Sequence, residues 1–136
     1  MYLLDTNVVS ELRRPRPNPN VRTWINGVDN DALFLSAVTI GEIQAGIELT
    51  REQDPVKAAE IEKWADQLAD VMNVLPRDAE AFRLWARFMH RRSDTLYEDA
   101  MIAAIAQQHR LTVVTRHTRD FAAFNVPVLN PFVIGE

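Results

Sequence analysis

The chain contains no cysteine. That excludes a disulfide framework and any thiolate metal site. Only three of its 136 residues are histidine, which argues against zinc. No apolar run approaches the roughly 20 residues needed to span a bilayer. The first apolar run is interrupted by Asp5 and has no basic leader, unlike a secretory signal. A cytoplasmic location is the default expectation, with no membrane partner. Lysine is nearly missing: Lys57 and Lys63 stand alone among fifteen basic residues. The net charge of -4 speaks against a generally basic nucleic-acid binder. Internal repeats, low-complexity segments and domain linkers are also lacking. At this length the chain is expected to form one domain, residues 1–136, with a real core.

What is present is a set of short apolar runs alternating with helical patterns. Tyr2–Leu4, Leu33–Leu35, Val71–Leu75, Leu111–Thr115 and Val126–Leu129 read as strands. Runs without polar alternation suit strands buried on both faces. Helices are expected around Val8–Leu12, through Val21–Ile25, over Val38–Leu49, from Pro55 to about Ala69, after Asp78, and from Leu96 to His109. Asp54-Pro55 is a strong start signal, an acid N-cap followed by proline at the first position. After Asp78 the apolar stripe is Ala81, Phe82, Trp85, Ala86 and Met89. The Leu96–His109 helix is apolar nearly all round, so it should be buried. Strands alternating with helices predict an α/β sandwich with a mostly parallel sheet.

Four of the nineteen acids stand out. Asp5 ends the first strand, where open α/β sheets place ligand sites. Glu42 lies on the helix after the second strand. Asp99 sits near the start of the most apolar helix. Asp120 follows the Leu111–Thr115 strand by a short loop. Parallel strands bring Asp5 and Asp120 to one sheet edge, and the helices entering there bring Asp99 and Glu42. Clustered carboxylates repel one another, and a hard cation such as Mg²⁺ or Mn²⁺ relieves this.

Each acid also has an ordinary reading. Asp5 fits an N-cap. Glu42 fits a capping box with Thr39. Asp120 fits a loop or cap. Thr95-Leu96-Tyr97-Glu98 supplies a capping box of its own, which leaves Asp99 as an unexplained second acid. Thr6, Asn7 and Thr115 serve as turn formers or as ligand-orienting groups. The arginines cluster at Arg13–Arg22 and Arg110–Arg119, flanking Asp5 and Asp120, and suit an RNA or acidic-partner surface.

In this order the motifs resemble the PIN-domain toxins of bacterial type II toxin–antitoxin systems, the VapC group and particularly its FitB-like branch. The matching segments are Tyr2–Leu12, Leu35–Ile47, Asp99–Ala104 and Leu111–Phe121, with Val126–Pro131 closing. The resemblance implies a PIN-like three-layer sandwich and a Mg²⁺- or Mn²⁺-dependent endoribonuclease acting on RNA. It also implies a homodimer, inhibition by a cognate VapB-like antitoxin, and binding of operator DNA together with that antitoxin. By motif, Asp5, Glu42 and Asp99 carry over as catalytic, metal-site acids, and Asp120 as the last Asp of the segment Thr-Arg-Asn-x-x-Asp-Phe. His117 stands where that segment usually has Asn, and some relatives place their fourth acid there. Asp120 and His117 are therefore alternatives for the side chain facing the metal. A non-catalytic module that binds antitoxin and DNA is the rival reading. A phosphatase of the haloacid-dehalogenase type also starts with a strand and Asp, but it wants a second acid where this chain has Asn7.

Overall fold

The computed structural model describes residues 1–133; the last three residues of the expected domain lie outside it. Its sheet has five parallel strands in the order β3-β2-β1-β4-β5. These are β1 (Tyr2–Leu4), β2 (Leu33–Ser36), β3 (Asn73–Leu75), β4 (Thr112–Val114) and β5 (Val128–Leu129). The helices are α1 (Thr6–Arg13), α2 (Pro19–Asn26), α3 (Ala37–Gln53), α4 (Pro55–Val71), α5 (Ala79–Met89), α6 (Tyr97–His109) and the single turn α7 (Thr118–Phe121). The expected alternation is present, though several boundaries differ. The third strand begins at Asn73 rather than Val71, because α4 continues through Val71. The last strand is only Val128–Leu129.

Side-chain alternation along the central strands builds two cores. Leu3 and Val113 join α5, α6 and Phe121 on one face. Leu4 and Val114 join Val8, Val9, Val21, Ile43, Ile47 and Ala58 from α1 to α4 on the other. The result is a three-layer α/β/α sandwich. Ala100 to Ala106 are all buried, as an all-apolar helix requires. On α5 the expected stripe is kept at Ala81, Trp85 and Met89 and fails at Phe82 and Ala86, which are exposed. Trp85, Phe88 and Met89 pack on the core, whereas Phe82 is 41% exposed. Its ring packs edge-on to Trp85 at 6.3 Å, and the Arg77 guanidinium lies over it at 4.7 Å.

Glu11 had drawn no attention in the sequence. It is buried, accepts the Asn18 backbone N–H at 3.0 Å and pairs with Arg14 at 3.2 Å. That pinning fixes the proline-rich turn between α1 and α2. Asn18 then caps α2 through the Asn20 N–H, with Pro19 at its first position. Among the described residues, no helix is long and apolar enough to cross a membrane.

The sheet order positions the site. From β1 the chain moves to β2 on one side, and returns later to β4 on the other. The strands on either side of β1 therefore diverge at β1/β4, which is where open α/β sheets leave a crevice beyond their carboxyl ends. Leu4 is paired with Val114, so the next residues on each strand, Asp5 and Thr115, emerge side by side.

Candidate active site

Asp5 is held more firmly than a surface carboxylate. It is 5% exposed. Its Oδ1 accepts the Thr6 N–H at 2.8 Å. Its Oδ2 accepts the Asn7 side-chain amide at 2.9 Å and the Thr115 hydroxyl at 2.8 Å. The cap reading and the site reading therefore coexist, because Asp5 caps α1 from the sheet edge. Asn7 also donates to Thr115 at 3.2 Å and accepts the Arg116 N–H at 3.0 Å. The Thr115 hydroxyl accepts the His117 N–H at 3.0 Å. This network ties the ends of β1 and β4 together and presets the carboxylate. A carboxylate offers about four acceptor sites. Three of those on Asp5 are taken, which leaves room for one ligand.

Beyond it lies a cleft of about 330 Å³ lined by Asp5, Asn7, Glu42, Glu98, Asp99 and His117, with Thr6 and Ser10. Asp5, Glu42 and Asp99 thus share one space although the sequence separates them widely. Asp120 does not line it. That residue is exposed on α7, but its charge acts on Asp99. His117 is the member of that segment that faces the cleft.

Two helices are capped by other residues than the spacing predicts. Ser36, not Thr39, caps α3 by accepting the Val38 N–H at 2.9 Å. Thr39 is buried inside the helix and takes the Thr6 hydroxyl at 3.1 Å. Glu42 is therefore a full turn into α3 and free of any capping box. Likewise Ser93, not Thr95, caps the turn before α6, and α6 itself begins without a side-chain cap. Glu98 is released from that role and becomes a further cleft acid. The only signal for it in the sequence was its place next to Asp99 in a first helical turn. Ser10, one exposed turn along α1, carried no signal at all.

The electrostatics follow from this crowding. The Glu42 pKa is pushed up to about 7, chiefly by burial and then by the charges of Glu98, Asp5 and Asp99, with the nearby Thr6 hydroxyl opposing. Asp99 is pushed up to about 6 by burial, then by Asp5 and Asp120, with His117 opposing and Glu98 adding to the rise. Glu42 Oε1 is buried without a hydrogen-bond partner, a costly arrangement. As the side chains stand, no three acids or imidazoles among the described residues close on a common ion. A donor set dominated by carboxylate oxygens, an orphaned carboxylate oxygen and two acids that resist ionisation fit a hard divalent cation.

The arginines divide. Arg14 is committed to Glu11. Arg116 lies over the Phe132 ring at 3.8 Å, which ties it to the C-terminal segment, and it stays exposed. Arg13 and Arg119 remain exposed.

Residues 2–126 match the PIN domain family model. The toxin FitB of Neisseria gonorrhoeae is 33% identical over 97% of this chain and 99% of its own length. The VapC ribonuclease Y4jK of Sinorhizobium fredii is 32% identical over 97% of this chain and 98% of its own. The solved structure of FitAB bound to an IR36 DNA fragment superposes with a TM-score of 0.87 at 33% identity, covering 100% of this chain and 99% of that one. With the model match spanning both strands that build the site, the chain belongs to the PIN domain family.

Proposed function

We propose that this protein is the toxin of a type II toxin–antitoxin pair, an endoribonuclease that hydrolyses RNA phosphodiester bonds with Mg²⁺ or Mn²⁺ and is held inactive by a cognate antitoxin. The observation that carries the reading is the shared cleft of Asp5, Glu42 and Asp99, with its two acids of raised pKa. Its similarity to a protein named as a toxin and to one named as a ribonuclease supports the same conclusion. Operator DNA, bound together with the antitoxin, is assigned as a partner because a relative in complex binds a DNA fragment. The reading includes a homodimer, for which the exposed rings of Phe82 and Tyr97, 41% and 47% accessible and in edge-on contact with Trp85, offer an apolar surface.

In this reading Asp5 and Asp99 would hold the ion and Glu42 would join them; of the two alternatives for the last place His117 lines the cleft, whereas Asp120 acts on it through its charge. When bound, the divalent ion supplies an activated water nucleophile and offsets the charge that builds on the phosphoryl oxygens. Asp5 contributes a position fixed by its three hydrogen bonds. Glu42, with an unpartnered oxygen, is the acid best suited to take the proton lost by the attacking water. Arg13 and Arg119 draw the RNA backbone toward the cleft. Protein freed of antitoxin is expected to cut RNA with Mg²⁺ or Mn²⁺ and to stop on addition of EDTA. Asp5→Asn should be inert while its circular dichroism stays that of the wild type. Cutting that survives either treatment contradicts the proposal.

Metal binding is also expected to displace protons. Near pH 6.5 Glu42, at about 7, is mostly protonated and Asp99, at about 6, partly so. A cation favours both ionised forms, so affinity should rise from pH 5 to pH 8. Calorimetry in buffers of different ionisation enthalpy should register proton release at pH 6.5 and almost none at pH 8.5. A pH-independent affinity would mean that the ion does not meet these two acids.

A further inference from the structure

Helix α3 carries glycine on either side of Glu42, at Gly41 and Gly46. Glycine weakens a helix interior, and packing does not demand it here: a Cβ at either position would meet no atom within 4 Å. At Gly46 the missing side chain opens a cavity of about 210 Å³. Ile43, Ile47 and Ile61 form its apolar surface, Trp64 supplies an aromatic wall, and the exposed Arg13 stands at its rim. Thr6, Ser10 and Glu42 line both this cavity and the acidic cleft, so the two lie side by side.

We propose that this cavity receives one base of the RNA strand, the one adjacent to the scissile phosphate, and so selects where the strand is cut. The inference rests on the ribonuclease reading above. A flat ring stacked on an aromatic side chain, with an arginine beside it for the next phosphate, is how single-stranded RNA is gripped. The size agrees. At about 210 Å³ the cavity has room for a ring system, and it is smaller than the roughly 300 Å³ at which pockets for drug-sized ligands begin. Its position agrees as well, because a strand with its phosphate at Glu42 has a neighbouring base within reach of Gly46, one helical turn along.

Gly46→Leu tests this, since the added side chain grows into open space and replaces glycine inside a helix. The variant should melt at or above the wild-type temperature. On an RNA with randomised positions around the cut, wild type is expected to show a base preference at one flanking position, and Gly46→Leu to lose it. KM should rise roughly tenfold or more, as the loss of one stacked base implies, with kcat changed by less than about threefold. Gly46→Ala should behave close to wild type. Identical KM and flanking-base preference in Gly46→Leu and wild type would overturn the base-site assignment while leaving the ribonuclease reading intact. Wild-type cutting with no flanking preference would do the same. Unchanged RNA cutting with loss of antitoxin inhibition would give the cavity to the antitoxin instead, and a wild-type protein that cuts no RNA would remove the basis for both.

Discussion

Asp99→Asn is expected to abolish RNA cutting and, at the same time, to make the metal-free protein more stable at neutral pH. The two effects share one cause. Folding buries Asp99 beside other acids and raises its pKa from 3.8 to about 6. A carboxyl with a raised pKa binds its proton more tightly in the folded chain than in the unfolded one, so stability falls as pH rises through the window between those values. Below pH 4 the penalty vanishes, and above pH 6 it is fully present. Asn imitates the protonated acid at every pH and removes the penalty. For a partly exposed group, solvent screening cuts this to about 1–2 kcal/mol, or roughly 3–8 °C in melting temperature. Wild type and variant should converge when melted at pH 4. The activity loss should exceed about 100-fold, the upper end for merely disturbing a ligand's support. A variant that is both less active and less stable at pH 7 would mean that Asp99 is a structural acid.

Thr115→Val is expected to damage the site without touching the cleft directly. Thr115 is fully buried. Its hydroxyl donates to Asp5 at 2.8 Å and accepts from Asn7 and from the His117 N–H. Valine has nearly the same shape but no hydroxyl, so one acceptor and two donors lose a partner. The cost should be about 1–3 kcal/mol of stability. A carboxylate released from its support typically loses about 10–100-fold in metal affinity or activity. Thr115→Ser restores the hydroxyl and should recover most of both. Rescue of affinity by Ser distinguishes a positioning role from simple packing, which serine would not restore. If Val and Ser variants bound Mn²⁺ as wild type does, the network would have no bearing on the site.

Much of the architecture was legible because burial on both faces writes itself into composition. Leu3-Leu4 and Val113-Val114 have no polar alternation, and Ala100–Ala106 has no polar face. Asp5 was legible from its place at the end of a buried strand, and Asp99 as an acid near the start of a helix that is otherwise apolar nearly all round. The misreadings arose where two nearby residues competed for one local role. Ser36 and Thr39 both precede an apolar run, as do Ser93 and Thr95. In both pairs the residue nearer the preceding segment won, because the chain had already turned into the helix. That choice depends on where strand pairing ends, and no spacing of hydroxyl and carboxylate encodes it. The exposed Phe82 and buried Glu11 share a similar origin. Each satisfies a partner, Arg77 or the Asn18 N–H, that becomes a neighbour only when the loops close. Asp120 and His117 were undecidable because a shift of a few residues in one helical turn determines which side chain meets the cleft.

Asp5 and Asp99 are proposed to meet across one divalent ion. Crystals of the protein soaked in Mn²⁺ and measured at the manganese absorption edge test it directly. An anomalous peak bonded to carboxylate oxygens of both residues, with Glu42 drawn toward it, is the predicted result. A peak elsewhere, or one that persists unchanged in Asp5→Asn crystals, would contradict it.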